Sequence, residues 1–278
     1  MRQDNALKMI IGLYSATVIY WLAVFVIAQY SLVGESLLHF LRLSTEIPLT
    51  IIPLTGGILG LRNAVLWGGI KSMMGRSSLF LSLGLLAWGI GNIVWTYYIF
   101  FTATEVPYPS FADFGYILSP LFFLFGIRGL FRVVGAHFSL RSAKGKLLIF
   151  IIPLLVILIS VYLLIYVARG GVLVHDSGSY IKLFFDLLYP LSDIAILTMI
   201  SLIYFLSRDF LGGRYKAPIL IIFFGFVLFY ASDFSFSYTT TIGTFYNGSF
   251  TDFLFTTTMF IISMGIVMLS PKRINAES

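Results

Sequence analysis

Apolar residues along this chain gather in long uninterrupted runs, and eight of them approach the length of about 20 residues that a helix needs to cross roughly 30 Å of hydrocarbon. They run near residues 8–33, 47–70, 78–101, 111–134, 147–168, 183–206, 217–240 and 251–270. The first run is longer than the apolar region of a signal peptide and has no clear small-residue cleavage site, so it is read as a spanning helix. The pattern predicts an all-α polytopic membrane protein with eight transmembrane helices. Composition agrees: 59% of the 278 residues are hydrophobic, 11% are charged and mean hydropathy is +0.96, values that exclude a water-soluble globule.

The net charge of +6 is explained by topology. With eight spans both termini share one side. That side collects Arg2, Lys8, Arg62, Lys71, Arg76, Arg128, Arg132, Arg141, Lys144, Lys146, Arg208, Arg214, Lys216, Lys272 and Arg273, whereas the other side holds Arg42, Arg169 and Lys182. Fifteen of 18 basic residues on one side predicts a cell-membrane protein with both termini cytoplasmic. No nucleic-acid partner needs to be invoked. Most acids fall the other way: Glu35, Glu46, Glu105, Asp113, Asp176, Asp186, Asp193, Asp233 and Asp252 are expected in outer loops or the outer parts of spans, and Asp4, Asp209 and Glu277 inside.

At an offset near 140 the chain resembles itself. Trp88, Asn92 and Trp95 correspond to Phe229, Asp233 and Phe236. Ser110-Phe111-Ala112-Asp113-Phe114 matches Ser249-Phe250-Thr251-Asp252-Phe253, and Ile52-Pro53-Leu54-Thr55 matches Tyr189-Pro190-Leu191-Ser192. The expectation is two four-helix halves of equal orientation, 1–134 and 147–278, joined by a basic cytoplasmic loop at 135–146 that can also meet anionic lipid.

Candidate chemistry lies on the outer side. Ser110 with Asp113 and Ser249 with Asp252 read as S-x-x-D before an apolar run, the capping-box pattern, and the same residues can line the rim of a pocket. Pro107 and Pro109 stiffen the loop bearing Glu105 and Tyr108. Asp186, Asp193 and Asp233 fall inside spans, where a central charge costs about 2.5 to 3.5 kcal/mol unless it is partnered. Lys182 can pair with Asp186 one turn away. Asp193 and Asp233 have no basic residue within a turn, which marks them as functional candidates. Trp88, Asn92 and Trp95 share one helix face, and an aromatic, acidic, outward-facing pocket suits an amine, another cation or a flat apolar ligand. The candidate ligand-binding set is Trp88, Asn92, Trp95, Glu105, Tyr108, Asp113, Tyr189, Asp193, Asp233 and Asp252.

Several chemistries are excluded. The chain has no cysteine, and its three histidines, His39 and His175 in outer loops and His137 in an inner loop, do not form a metal or haem spacing. No lysine lies mid-membrane, and no phosphate-binding or nucleophile motif is present. Asn247-Gly248-Ser249 is formally a sequon. No cofactor and no enzymatic activity are expected.

The set Trp88-x-x-x-Asn92-x-x-Trp95, Pro107-Tyr108-Pro109-Ser110-x-x-Asp113-x-x-Tyr116, Tyr189-Pro190-Leu191-x-Asp193 and Asp233, spread over residues 78–260, resembles the multi-span N-terminal membrane regions of prokaryotic signalling proteins such as diguanylate cyclases and sensor histidine kinases. Asn92 stands where that pattern carries an aspartate, and no output domain follows the last span. The resemblance implies a sensory, ligand-binding membrane module that signals through a separate cytoplasmic protein. Two alternatives remain: a small proton-coupled transporter using Asp193 and Asp233, and an intramembrane lipid enzyme using them as an acid/base pair.

Overall fold

The computed structural model describes residues 3–102, 106–172, 180–207 and 215–271. Among these there is no strand, and eight helical spans are long and apolar enough to cross a membrane, as the sequence predicts. The helices are α1 (Gln3–Gln29), α2 (Glu35–Ser44), α3 (Glu46–Leu66), α4 (Met73–Phe101), α5 (Ala112–Val133), a short α6 (Ala136–Ser139), α7 (Ala143–Ser160) continuing as a π-helical stretch (Val161–Val167), α8 (Tyr180–Ser207), α9 (Lys216–Thr241) and α10 (Phe250–Met268).

Two expectations need correction. The segment 35–46 is helical apart from a turn at Thr45 rather than an outer loop, so His39 and Arg42 sit on α2 and Glu46 opens α3. A search for apolar runs breaks at Glu35, His39, Arg42 and Glu46, yet a helix needs no apolar residue on a face turned toward an internal cavity. His39, Leu43 and Glu46, at i, i+4 and i+7, form such a face. The 135–146 connection likewise contains α6, whose Ser139 hydroxyl donates to the Leu206 carbonyl near the end of α8 at 2.5 Å. Arg2, His175, Asp176, Arg208, Asp209, Arg214, Lys272, Arg273 and Glu277 lie outside the described residues.

Six spans close into a ring in the order α3, α4, α5, α8, α9, α10, with α10 returning to α3. Outside it, α1 packs on α10 and α3, α7 on α8, and the π-helical stretch on α9. The lipid-facing sides of α1 and α7 are apolar, as with Ile19, Phe25, Phe150 and Leu154. Lipid offers a hydrocarbon surface no less apolar than a neighbouring helix, so close packing and internal hydrogen bonds must hold the ring together.

Small residues supply the packing. The backbone of Gly115 on α5 lies against Gly91 and the Ala87 carbonyl of α4, and Gly56 on α3 leaves room for Ser263 of α10. Hydrogen bonds add to this at the basic end. The Asn63 amide donates to the Ile266 and Val267 carbonyls at 3.1 and 3.0 Å, and the Trp67 indole donates to Leu269 at 2.6 Å, so α3 satisfies the orphan C-terminal carbonyls of α10. Inside the ring, Phe123 of α5 meets Phe226 of α9 edge to face at 5.0 Å. Together with Leu81, Ile127, Ile200, Ile222 and Ile262 they fill the half of the ring toward the basic end.

Replacing Gly115 with alanine would place a Cβ 2.5 Å from the Ala87 carbonyl oxygen, which forces α4 and α5 apart. We expect Gly115→Ala to lower the melting temperature in detergent, at a cost of about 1–3 kcal/mol. Gly12→Ala, on α1 with nothing nearby, should leave it unchanged or slightly raised.

Candidate functional site

The other half of the ring is hollow. A cavity of about 1170 Å³ occupies the end of the bundle formed by the N-termini of α3, α5, α8 and α10 and the C-termini of α4 and α9. Nine of the ten residues predicted as ligand contacts line it: Trp88, Asn92, Trp95, Tyr108, Asp113, Tyr189, Asp193, Asp233 and Asp252. The tenth, Glu105, lies outside the described residues. Helical periodicity explains the concentration. Trp88, Asn92, Trp95 and Ile99 form one stripe of α4, Lys182, Asp186, Tyr189 and Asp193 one stripe of α8, and Phe229, Asp233, Phe236 and Thr240 one stripe of α9.

Asp113 and Asp252 hold loop backbone as capping carboxylates and face the cavity as well. The Asp113 carboxylate accepts from the Ser110 backbone N–H at 2.6 Å, while the Ser110 hydroxyl accepts from the Ala112 N–H at 3.2 Å. Asp252 accepts from the Gly248 N–H at 2.6 Å, but the Ser249 hydroxyl has no partner, so the second box is closed only by its carboxylate. Asp113 additionally accepts from the Tyr189 hydroxyl at 2.5 Å, which ties α5 to α8.

Glu46, expected among the acids of the outer loops and outer parts of spans, is 1% exposed. Its carboxyl lies against that of Asp252 within hydrogen-bonding reach, tying α3 to α10. The Asn92 amide donates to Thr50 at 2.8 Å and reaches the Glu46 carboxyl at 3.5 Å, while its oxygen accepts from the Tyr116 hydroxyl at 2.9 Å. Trp88 packs between Tyr116 and Phe255, with ring centroids at 5.5 and 5.9 Å, one turn further into the membrane than Asn92.

A second carboxyl pair is formed by Asp193 of α8 and Asp233 of α9, again within hydrogen-bonding reach. Asp193 has Arg169 as a charged neighbour, which the sequence did not reveal because Arg169 is 24 positions away. Local structure puts it there. Pro190 has no N–H to give to the carbonyl four residues back, that of Asp186. The Arg169 guanidinium donates to that carbonyl at 3.1 Å, and its Nε–H donates to the Ser237 hydroxyl at 3.3 Å. The π-helical stretch carries Arg169 to this position, with the Ala168 N–H donating to the Leu163 carbonyl at 2.8 Å. Wide turns of this kind recur at functional sites. Arg169 thus binds α7, α8 and α9 together at a point where hydrocarbon would leave a carbonyl unpaired.

Toward the mouth, the Tyr108 hydroxyl donates to Asp186 at 2.9 Å, and partial burial together with that carboxylate pushes the phenol well above its ordinary range, so it stays a neutral donor. Arg42 of α2 lies over the Tyr246 ring at 4.9 Å, bracing the loop that precedes α10. His39 lines the wall nearby. No group of three potential metal ligands exists among the described residues. Comparison with protein-family models, with curated proteins and with solved structures gives no match.

The Pro190–Arg169 relation is testable by a double-mutant cycle. Arg169→Gln should destabilise the protein by about 1–3 kcal/mol, the cost of stranding a buried carbonyl. In a Pro190→Ala background, where an amide N–H returns to the Asp186 carbonyl, the same change should cost less, as read by denaturation in detergent. Equal costs in both backgrounds would show that the carbonyl contact does not matter.

Proposed function

We propose that this integral membrane protein is a binding module for an organic cation that enters from the outer face, and that occupancy is passed to a cytoplasmic partner protein in the manner of a sensor. The observation that carries this reading is the Glu46–Asp252 pair. Two buried carboxyls meet there beside an aromatic group, Trp88, Tyr116 and Phe255. Carboxylate oxygens accept hydrogen bonds, so a pair of them calls for a donor or a positive charge, and an ammonium group supplies both. The rings add a cation–π attraction of about 0.5–2 kcal/mol. The Phe123–Phe226 contact and the aliphatic side chains around it close the interior below the cavity, which favours binding over free passage. The resemblance of the tryptophan and proline motifs to signalling proteins supports the step from binding to sensing.

Isothermal titration of the purified protein in detergent with n-alkylamines, and with the n-alcohol of each length as control, tests the reading. A saturable amine site is expected, weakened about tenfold or more in Glu46→Gln by the loss of a charged hydrogen bond. Equal binding of amine and alcohol would point to an apolar ligand and overturn the cation assignment. The Asp193–Asp233 pair favours a second reading, a proton-coupled carrier. In that case the amine would move across sealed vesicles with a proton gradient, and Asp193→Asn would stop it.

The outward direction of the cavity rests on the distribution of basic residues. Because the chain lacks cysteine, single substitutions can report on it. A membrane-impermeant maleimide added to intact cells should label Tyr246→Cys at the cavity mouth and spare Lys144→Cys at the basic end. The reverse pattern would invert the topology.

A further inference from the structure

The cavity holds more than one acidic position. The Glu46–Asp252 pair belongs to the seam between α3 and α10, and the Asp193–Asp233 pair to the seam between α8 and α9. The two seams involve different helices of the ring, so the pairs are separate positions in one space. Asp193 has Arg169 as a charged neighbour, and Asp233 has Asp193 as a side-chain partner.

Aromatic rings connect the two pairs. Tyr116, Trp88, Phe255 and Phe229 follow one another with centroid separations of 5.5, 5.9 and 6.4 Å. Phe255 stands one turn from Asp252 on α10, and Phe229 one turn from Asp233 on α9, so the row begins beneath one carboxyl pair and ends beneath the other. An apolar floor between two acidic ends, in a cavity of about 1170 Å³, exceeds what a single small ammonium ion would fill.

Resting on the organic-cation reading above, we propose that the ligand is a linear dication of the α,ω-diamine class, one ammonium at Glu46–Asp252, the other at Asp233 beside Asp193, and an aliphatic spacer lying over the Trp88–Phe255–Phe229 row. The buried Glu46 carboxyl, paired with Asp252 and reached by the Asn92 amide at 3.5 Å, is the stronger anchor. Asp233 is half-buried and selects for the second charge. Arg169 supports the second end from behind through its bonds to the Asp186 carbonyl and Ser237.

Calorimetric titration of the full chain in detergent with α,ω-diaminoalkanes of increasing length, each compared with the n-alkylamine of the same length, tests the assignment. One spacer length should bind about tenfold or more tightly than its monoamine, the factor expected from one added charged contact, with weaker binding on either side of that length. Asp233→Asn should remove this advantage, so that the diamine binds no more tightly than the n-alkylamine of the same length, with the melting temperature in detergent reporting that the variant is folded. If Asp233→Asn does not fold, Phe229→Leu should shift the preferred length or abolish the preference in a protein that still binds monoamine. Equal affinity of diamine and monoamine at every length, or an advantage that survives Asp233→Asn, would overturn the dication assignment and leave the single-cation site standing. Absence of binding by any amine would overturn both.

Discussion

A polar group carried into hydrocarbon must find its partner inside the protein, and this requirement organises the structure from its helix order to its cavity. Lipid gives the six ring helices no solvent-driven reason to associate, so contacts between small residues and bonds between polar ones do the work. At the basic end the carbonyls that terminate α10 are met by Asn63 and Trp67 of α3. In the middle, Phe123 and Phe226 fill the space with rings. At the other end the polar side chains meet one another, as Tyr189 with Asp113, Tyr116 with Asn92 and Arg169 with the carbonyl that Pro190 leaves free. Six carboxyl groups, those of Glu46, Asp113, Asp186, Asp193, Asp233 and Asp252, line the cavity at this end, and that acidic concentration gives it its chemical character.

Much of this could be read from the sequence, because the spans and the stripe residues follow from periodicity. A helix that turns one face to a polar cavity and another to lipid writes Trp88, Asn92 and Trp95, or Tyr189 and Asp193, at steps of three and four. Such steps survive without any knowledge of neighbours. Glu46 and Arg169 escaped for a different reason. Each sits at the edge of an apolar run, where charge is ordinary, and each becomes significant only through a residue far away in the chain: Asp252 for one, the Asp186 carbonyl for the other. Proline within a span offers a partial signal, since it announces a free carbonyl four residues earlier, but it does not say which donor will arrive.

The capping carboxylates show how structural and functional roles combine. Asp113 and Asp252 hold loop backbone at the starts of α5 and α10, and the same oxygens face the cavity. A ligand that engaged Asp252 would therefore touch the group that fixes where α10 begins, and α10 runs from that point to the basic end, where α3 grips its last carbonyls. Binding and helix position share a residue, which gives the sensor reading a mechanical basis without any additional element.

The wide turn between Val161 and Val167 has a consequence for how this chain tolerates change. A π-helical turn accommodates an extra residue relative to ordinary helix, and everything beyond it is rotated by roughly 100° compared with an uninterrupted α-helix. Arg169 meets α8 because of that rotation. The residue count of the stretch is therefore fixed: losing one position would restore regular winding and swing the guanidinium from the bundle interior toward lipid. In this part of the protein, an insertion or deletion does more harm than a swap between apolar residues on the lipid side.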